Sequence, residues 1–127
     1  MNRFLNGVVV GSAILFLLAT LVLPANSSGS SLQRRRSART RAHELFIQNC
    51  ARCHGADGRA DTGLGRLYET PNLTDPDWWT KNPKLATPQA MRKIVAKGKG
   101  GMPAFARKLT RAEINLLVNY MRAFRKK

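Results

Sequence analysis

Cys50 and Cys53, separated by Ala51 and Arg52 and followed at once by His54, are the only cysteines in this chain of 127 residues. Their spacing puts two thiols about one helical turn apart, with an imidazole beside them. A disulfide here would enclose only two residues, so it would add little loop-closure stabilisation. Half of a zinc site would need a second ligand pair, and the only other histidine is His43. A thioredoxin-like dithiol belongs in a βαβ setting, of which the sequence gives no sign. The remaining pattern, and the one best supported, is covalent attachment of a c-type haem: each thiol adds to a vinyl group and the adjacent histidine meets the iron from the same side.

The rest of the chain has room for a small domain only. Residues 4–23 are almost wholly apolar, and residues 26–31 are Ser/Gly-rich. We read residues 1–25 as a signal peptide or an N-terminal membrane anchor, 26–40 as a basic Ser/Gly/Arg-rich linker, and 41–127 as the folded domain. Arg3, the apolar stretch and Pro24-Ala25 fit an export signal. The apolar stretch is just long enough to span a core of ~30 Å, which favours an uncleaved anchor slightly. One arginine before it and five soon after point to the opposite orientation. A periplasmic location, or one on the outer face of the membrane, is expected. A domain of this size buries only about 60–65% of its unfolded surface and gains from a cofactor as core.

Periodicity predicts three main helices. Ala42, Leu45, Phe46 and Asn49 mark the first, over residues 38–49. Thr87 as N-cap, Pro88 at the first position and Gly98 as stop bound the second, with Met91, Ile94 and Val95 on one face. Thr110 and Glu113 form a capping box for the third, whose apolar face is Ile114, Leu117, Val118 and Met121. Between Gly55 and Pro83 the chain reads as loop with one helical turn near Asp75 to Trp79. So long a loop needs something packed beneath it.

A six-coordinate iron needs a second axial ligand. Met102 is the candidate, because Gly98, Gly100 and Gly101 before it allow close backbone approach and Pro103 fixes the exit. Its thioether is soft and neutral, which favours ferrous iron and raises the potential. Met91 and Met121 lie on apolar helix faces and are assigned to packing, and His43 to the solvated surface.

With these marks in this order, the chain from about Ala42 onward resembles the class I monohaem cytochromes c. The resemblance implies an all-α fold in which the N- and C-terminal helices cross and loops wrap one covalently bound haem. It places Ala42 and Phe46 before the first cysteine against Leu117 and Tyr120; glycine is usual at the first position, so Ala42 is a mild departure. It implies that the Pro71 carbonyl accepts the His54 ring N–H, which would fix the tautomer. It also implies that Trp78 or Trp79 contacts a haem propionate.

Ligation by both His54 and Met102 leaves no open position, so the expected role is shuttling single electrons between redox partners, with no catalysis and no small-molecule substrate. A net charge of +15 calls for acidic partner proteins, membrane oxidoreductases first, and Arg52, Lys97, Lys99, Arg107 and Lys108 are the candidate docking residues. Export argues against nucleic acid. Three rivals are a haem enzyme with an open iron site, a binding module in which residues 34–41 grip anionic lipid, and a cytochrome subunit of a larger membrane oxidoreductase.

Overall fold

The computed structural model describes residues 28–126. The elements are α1 (Ser28–Asn49), α2 (Ala51–His54), α3 (Gly63–Leu67), α4 (Pro76–Lys81), α5 (Pro88–Lys97) and α6 (Arg111–Arg122), followed by a 3₁₀ turn at Ala123–Lys126. The cytochrome c expectation of an all-α fold is met.

α1 corrects the sequence reading. It is helical from the first described residue, ten residues before the start expected at 38, so most of the segment read as a linker is helix. Residues 29–37 are all exposed. Helical periodicity detects a buried face, and this stretch has none; Leu32, Gln33 and Arg34 to Arg36 are good helix formers that extend a helix already held by the packed residues after them. Packing starts at Ala42, Leu45 and Phe46, the last of them fully buried.

α1 crosses α6 at that point. The Phe46 and Tyr120 rings lie 5.4 Å apart, as the sequence led us to expect. Leu117 and Val118 are fully buried beside them. His43 is exposed, as expected, but it is also tied down: its Nδ1 lies 2.9 Å from the Tyr120 hydroxyl. Phe124 went unnoticed in the sequence. It is buried against Phe46, with ring centroids 5.4 Å apart. A Cβ on Gly58 would come within 2.9 Å of its ring, so Gly58 is where the loop after the cysteine motif lies flat on the helix crossing.

The predicted caps form. Thr87 accepts from the Ala90 amide at 3.1 Å; a cap not expected from the sequence is Asp75, which accepts from Asp77 N at 2.9 Å at the start of α4. At α6 both halves of the capping box are present, and Glu113 also accepts from Arg41 of α1 at 2.8 Å. Backbone donation at Thr110, then the Arg41 contact, hold the Glu113 carboxyl below its usual range. This contribution is present above the ordinary Glu pKa and is lost as pH falls through the lowered one. Thr110→Ala should cost about 1 kcal/mol and lower the melting temperature by about 4–8 °C, which a thermal melt at neutral pH would check.

Candidate functional site

The Asn49–Cys50 junction separates α1 from the single turn of α2. His54 N and Cys53 N both donate to the Cys50 carbonyl, at 3.0 and 3.1 Å. Gly55, at φ 72°, ends the turn in a conformation that a side chain would strain. Thr62 then ties α2 to α3: its hydroxyl lies 2.9 Å from the Arg52 carbonyl and 3.1 Å from that of Cys53, and it accepts from Gly65 N at 2.8 Å. A Cβ on Gly65 would sit 2.6 Å from the Cys53 carbonyl, so only glycine lets α3 approach the motif this closely.

The Met102 segment is a tight turn. Lys99 and Met102 exchange backbone hydrogen bonds, both 3.0 Å, and Phe105 N donates to the Val95 carbonyl at 3.0 Å, folding the loop back along α5. Gly98 has φ 78°, and a Cβ there would meet the Met102 carbonyl at 2.6 Å. These are the roles that glycines in this stretch were expected to fill.

Between the two segments lies a cavity of about 680 Å³. Its walls include Cys50, Cys53, His54, Pro71, Trp78 and Met102, brought together from four separate stretches of sequence. Met91 and Met121, assigned to packing, are buried and also reach its wall. The tryptophans divide. Trp78 lines the cavity, whereas Trp79 is buried in the core and its indole N–H donates to the Leu73 carbonyl at 2.8 Å. The one indole donor of Trp79 is therefore engaged, and of the two expected candidates Trp78 is the one at the cavity wall. The choice rests on which of two adjacent helical residues turns inward, and composition does not encode that.

The chemistry of the walls fits a haem. The volume is within the ~300–1,000 Å³ of cofactor sites, which are mostly apolar with a few placed polar groups. Both cysteines are free thiols. Burial, then the neighbouring Cys53, push the Cys50 thiol up to about 12, against a smaller opposing effect of Lys108, so it stays protonated at neutral pH. A thiol held protonated is a poor metal ligand, because the thiolate is the form that binds metal. Among the described residues no three His, Cys, Asp or Glu side chains cluster as a metal site would require.

Burial pushes the His54 ring below its usual pKa, with the Pro71 carbonyl opposing, so the ring is neutral and able to ligate. Its Nδ1 is nevertheless buried without a hydrogen bond of acceptable geometry. The expected Pro71 contact is thus aimed but not closed. Asn49 Oδ1 is likewise buried and unpartnered, while Nδ2 donates to the Leu45 carbonyl at 2.8 Å. Asn49, Leu64, Tyr68 and Glu69 line the cavity and were not anticipated. Asn49 closes α1, and nothing in the loop-like stretch that carries the other three marks them in advance, although the left-handed backbone of Glu69 (φ 49°) shows how tightly it is bent.

Of the docking candidates, Arg52 and Lys99 lie at the cavity wall, and Lys97, Arg107 and Lys108 do not. All five are exposed.

A family model described as cytochrome C oxidase, cbb3-type, subunit III, matches residues 37–121. The chain belongs to this family. In keeping with it, the chain is a monohaem c-type cytochrome, haem c is its covalently bound cofactor, and electron transport is its class of function. It is 35% identical over 79 residues to the cbb3-type cytochrome c oxidase subunit FixP of Azorhizobium caulinodans, covering 61% of this chain and 24% of that protein. It is 40% identical over 63 residues to subunit CcoP of Rubrivivax gelatinosus, covering 49% and 17%. The chain thus spans about a quarter or less of the length of these relatives. Among solved structures, the KustC0563 c-type cytochrome matches with a TM-score of 0.58 and 30% identity, over 65% of this chain and 95% of that one. The family description agrees with the oxidoreductase-subunit alternative raised by the sequence. No helix among the described residues is long and apolar enough to cross a membrane, and residues 4–23 lie outside them.

Proposed function

We propose that this cytochrome relays single electrons through a haem joined by thioether bonds to Cys50 and Cys53, with His54 and Met102 as axial ligands of the iron. The observation that carries this reading is the single cavity onto which all four residues open. When bound, the haem supplies an iron that alternates between ferric and ferrous states. The chain does the remaining work: two covalent links fix the cofactor's position, burial keeps His54 neutral, and the thioether of Met102 favours the reduced state. Trp78 is the residue we assign to a propionate, and the buried part of the wall, Leu73, Met91, Val95 and Phe105, keeps water from that side of the site.

Such a site turns over no substrate of its own, so we read the protein as a carrier and not as an enzyme. Its partners are acidic redox proteins and a membrane oxidoreductase of the kind its relatives' names describe. Arg52 and Lys99, at the cavity wall, are the first candidates to meet them, and Lys97, Arg107 and Lys108 would add long-range attraction. We retain export, with residues 1–25 as signal or anchor and residues 41–127 as the haem domain.

The test is to produce the chain with a c-type maturation system, then record the pyridine haemochrome and the oxidised far-red spectrum. Covalent haem with the weak band of thioether-ligated ferric iron is expected, and the native protein should not bind azide or carbon monoxide. Ready binding of either would favour an enzyme with an open iron site.

A further inference from the structure

Half of α1 has no role in the haem domain. Residues 29–37 are exposed without exception, and Leu32, the one large apolar side chain in the stretch, is 59% exposed. Arg34, Arg35 and Arg36 are carried here and Arg39, also exposed, lies two residues beyond; none of the four is in an ion pair among the described residues. The charge is uncompensated locally as well, because no Asp or Glu precedes Glu44 in the entire sequence. Arg35 and Arg39 stand four apart, and Arg36 and Arg39 three apart, spacings at which like charges on a helix repel. An isolated arm of this composition lowers its free energy by meeting anions.

We infer that this arm binds the anionic headgroups of a phospholipid surface and holds the haem domain against the membrane electrostatically. Two features favour lipid over an acidic protein. At 100° per residue the four arginines spread over more than half the helix circumference and do not share one face. A diffuse layer of anions satisfies that arrangement; a single protein face does not. The arm also follows closely on the apolar run of residues 4–23, where a basic cluster is drawn to anionic lipid. It lacks the apolar stripe of a helix that lies embedded in the interface, so attraction must be by charge alone and must fall with salt.

The experiment mixes the full-length, haem-loaded chain with equal amounts of two vesicle populations, one of phosphatidylcholine alone and one containing a third phosphatidylglycerol, and measures how the protein divides between them. The comparison is a variant carrying Arg34→Gln, Arg35→Gln, Arg36→Gln and Arg39→Gln. Glutamine keeps the helix propensity of arginine, and circular dichroism would confirm unchanged helicity. Each basic residue near such a surface is worth roughly fivefold in partitioning, so the preference for anionic vesicles should fall at least ~30-fold in the variant and vanish for both chains near 1 M salt. Insertion by residues 4–23 would raise binding to both vesicle types alike and leave the ratio intact. An equal ratio for the two chains would overturn the proposal, and so would arm-dependent binding to poly-glutamate that exceeds binding to the anionic vesicles.

Discussion

With Cys50 and Cys53 both replaced by alanine, the chain should emerge from a c-type maturation host without covalent haem and without a stable fold. The size of the effect follows from the cavity. Empty internal volume costs on the order of 24 cal/mol per Å³ when the surroundings do not collapse. The site of about 680 Å³ opens to solvent on one side, so only its enclosed apolar part carries that cost, yet even a quarter of the volume would cost about 4 kcal/mol, a large share of a small domain's stability. Walls around a missing cofactor must therefore fall in. The measurement is a pyridine haemochrome assay on denatured protein, paired with far-ultraviolet circular dichroism and a thermal melt. No covalent haem and a shallow, non-cooperative melt are expected. A cooperative transition near that of the parent protein would show that the domain closes without its cofactor and that the cavity argument fails. Either single substitution should leave one thioether bond and a weakened but folded protein.

Met102→Ala should leave the covalent haem in place and change the iron. The ferric far-red band should disappear, carbon monoxide and azide should bind, and the reduction potential should fall by on the order of a few hundred millivolts, a sizeable part of the ~0.8 V that axial ligands span. Three methionines reach the cavity, so the control is essential. Met91→Leu and Met121→Leu preserve volume in helix faces that are already buried, and each should keep the band at a cost below about 1.5 kcal/mol. Loss of the band in one of these two, with Met102→Ala unaffected, would transfer the ligand role. The geometry favours Met102 because it projects from a glycine-bounded turn, whereas the other two are held in α5 and α6 by their neighbours.

The features legible in the sequence are those with a local physical cause. A capping box satisfies helix donors whatever the helix packs against, so Thr110 with Glu113 could be read directly, and the same holds for Thr87. The Phe46–Tyr120 crossing was legible because Phe46 recurs on a periodic apolar face and because the resemblance to a known family supplies Tyr120 as its facing residue. What stayed hidden depends on the third dimension. α3 is five residues long and carries too little periodicity to register. Trp78 and Trp79 are chemically identical neighbours, and only packing separates the cavity wall from the core. The first half of α1 was read as a linker because nothing in it seeks burial, yet absence of an apolar face does not prevent a helix. The unpartnered oxygen of Asn49 and unclosed bond of His54 are likewise matters of ångströms.

The α1–α6 crossing also sets an order of events during folding. His43 and Tyr120 are 77 positions apart, and Arg41 and Glu113 are 72 apart, so these contacts cannot form until a long loop has closed. Contacts of such separation form slowly compared with helices, which need only neighbours. Until α6 docks, Cys50 has no lid, because the buried cluster to which it belongs includes Ile114, Leu117, Val118 and Met121. Docking of the last helix is therefore the step that buries Cys50, whereas Cys53 stays half-buried at the cavity wall.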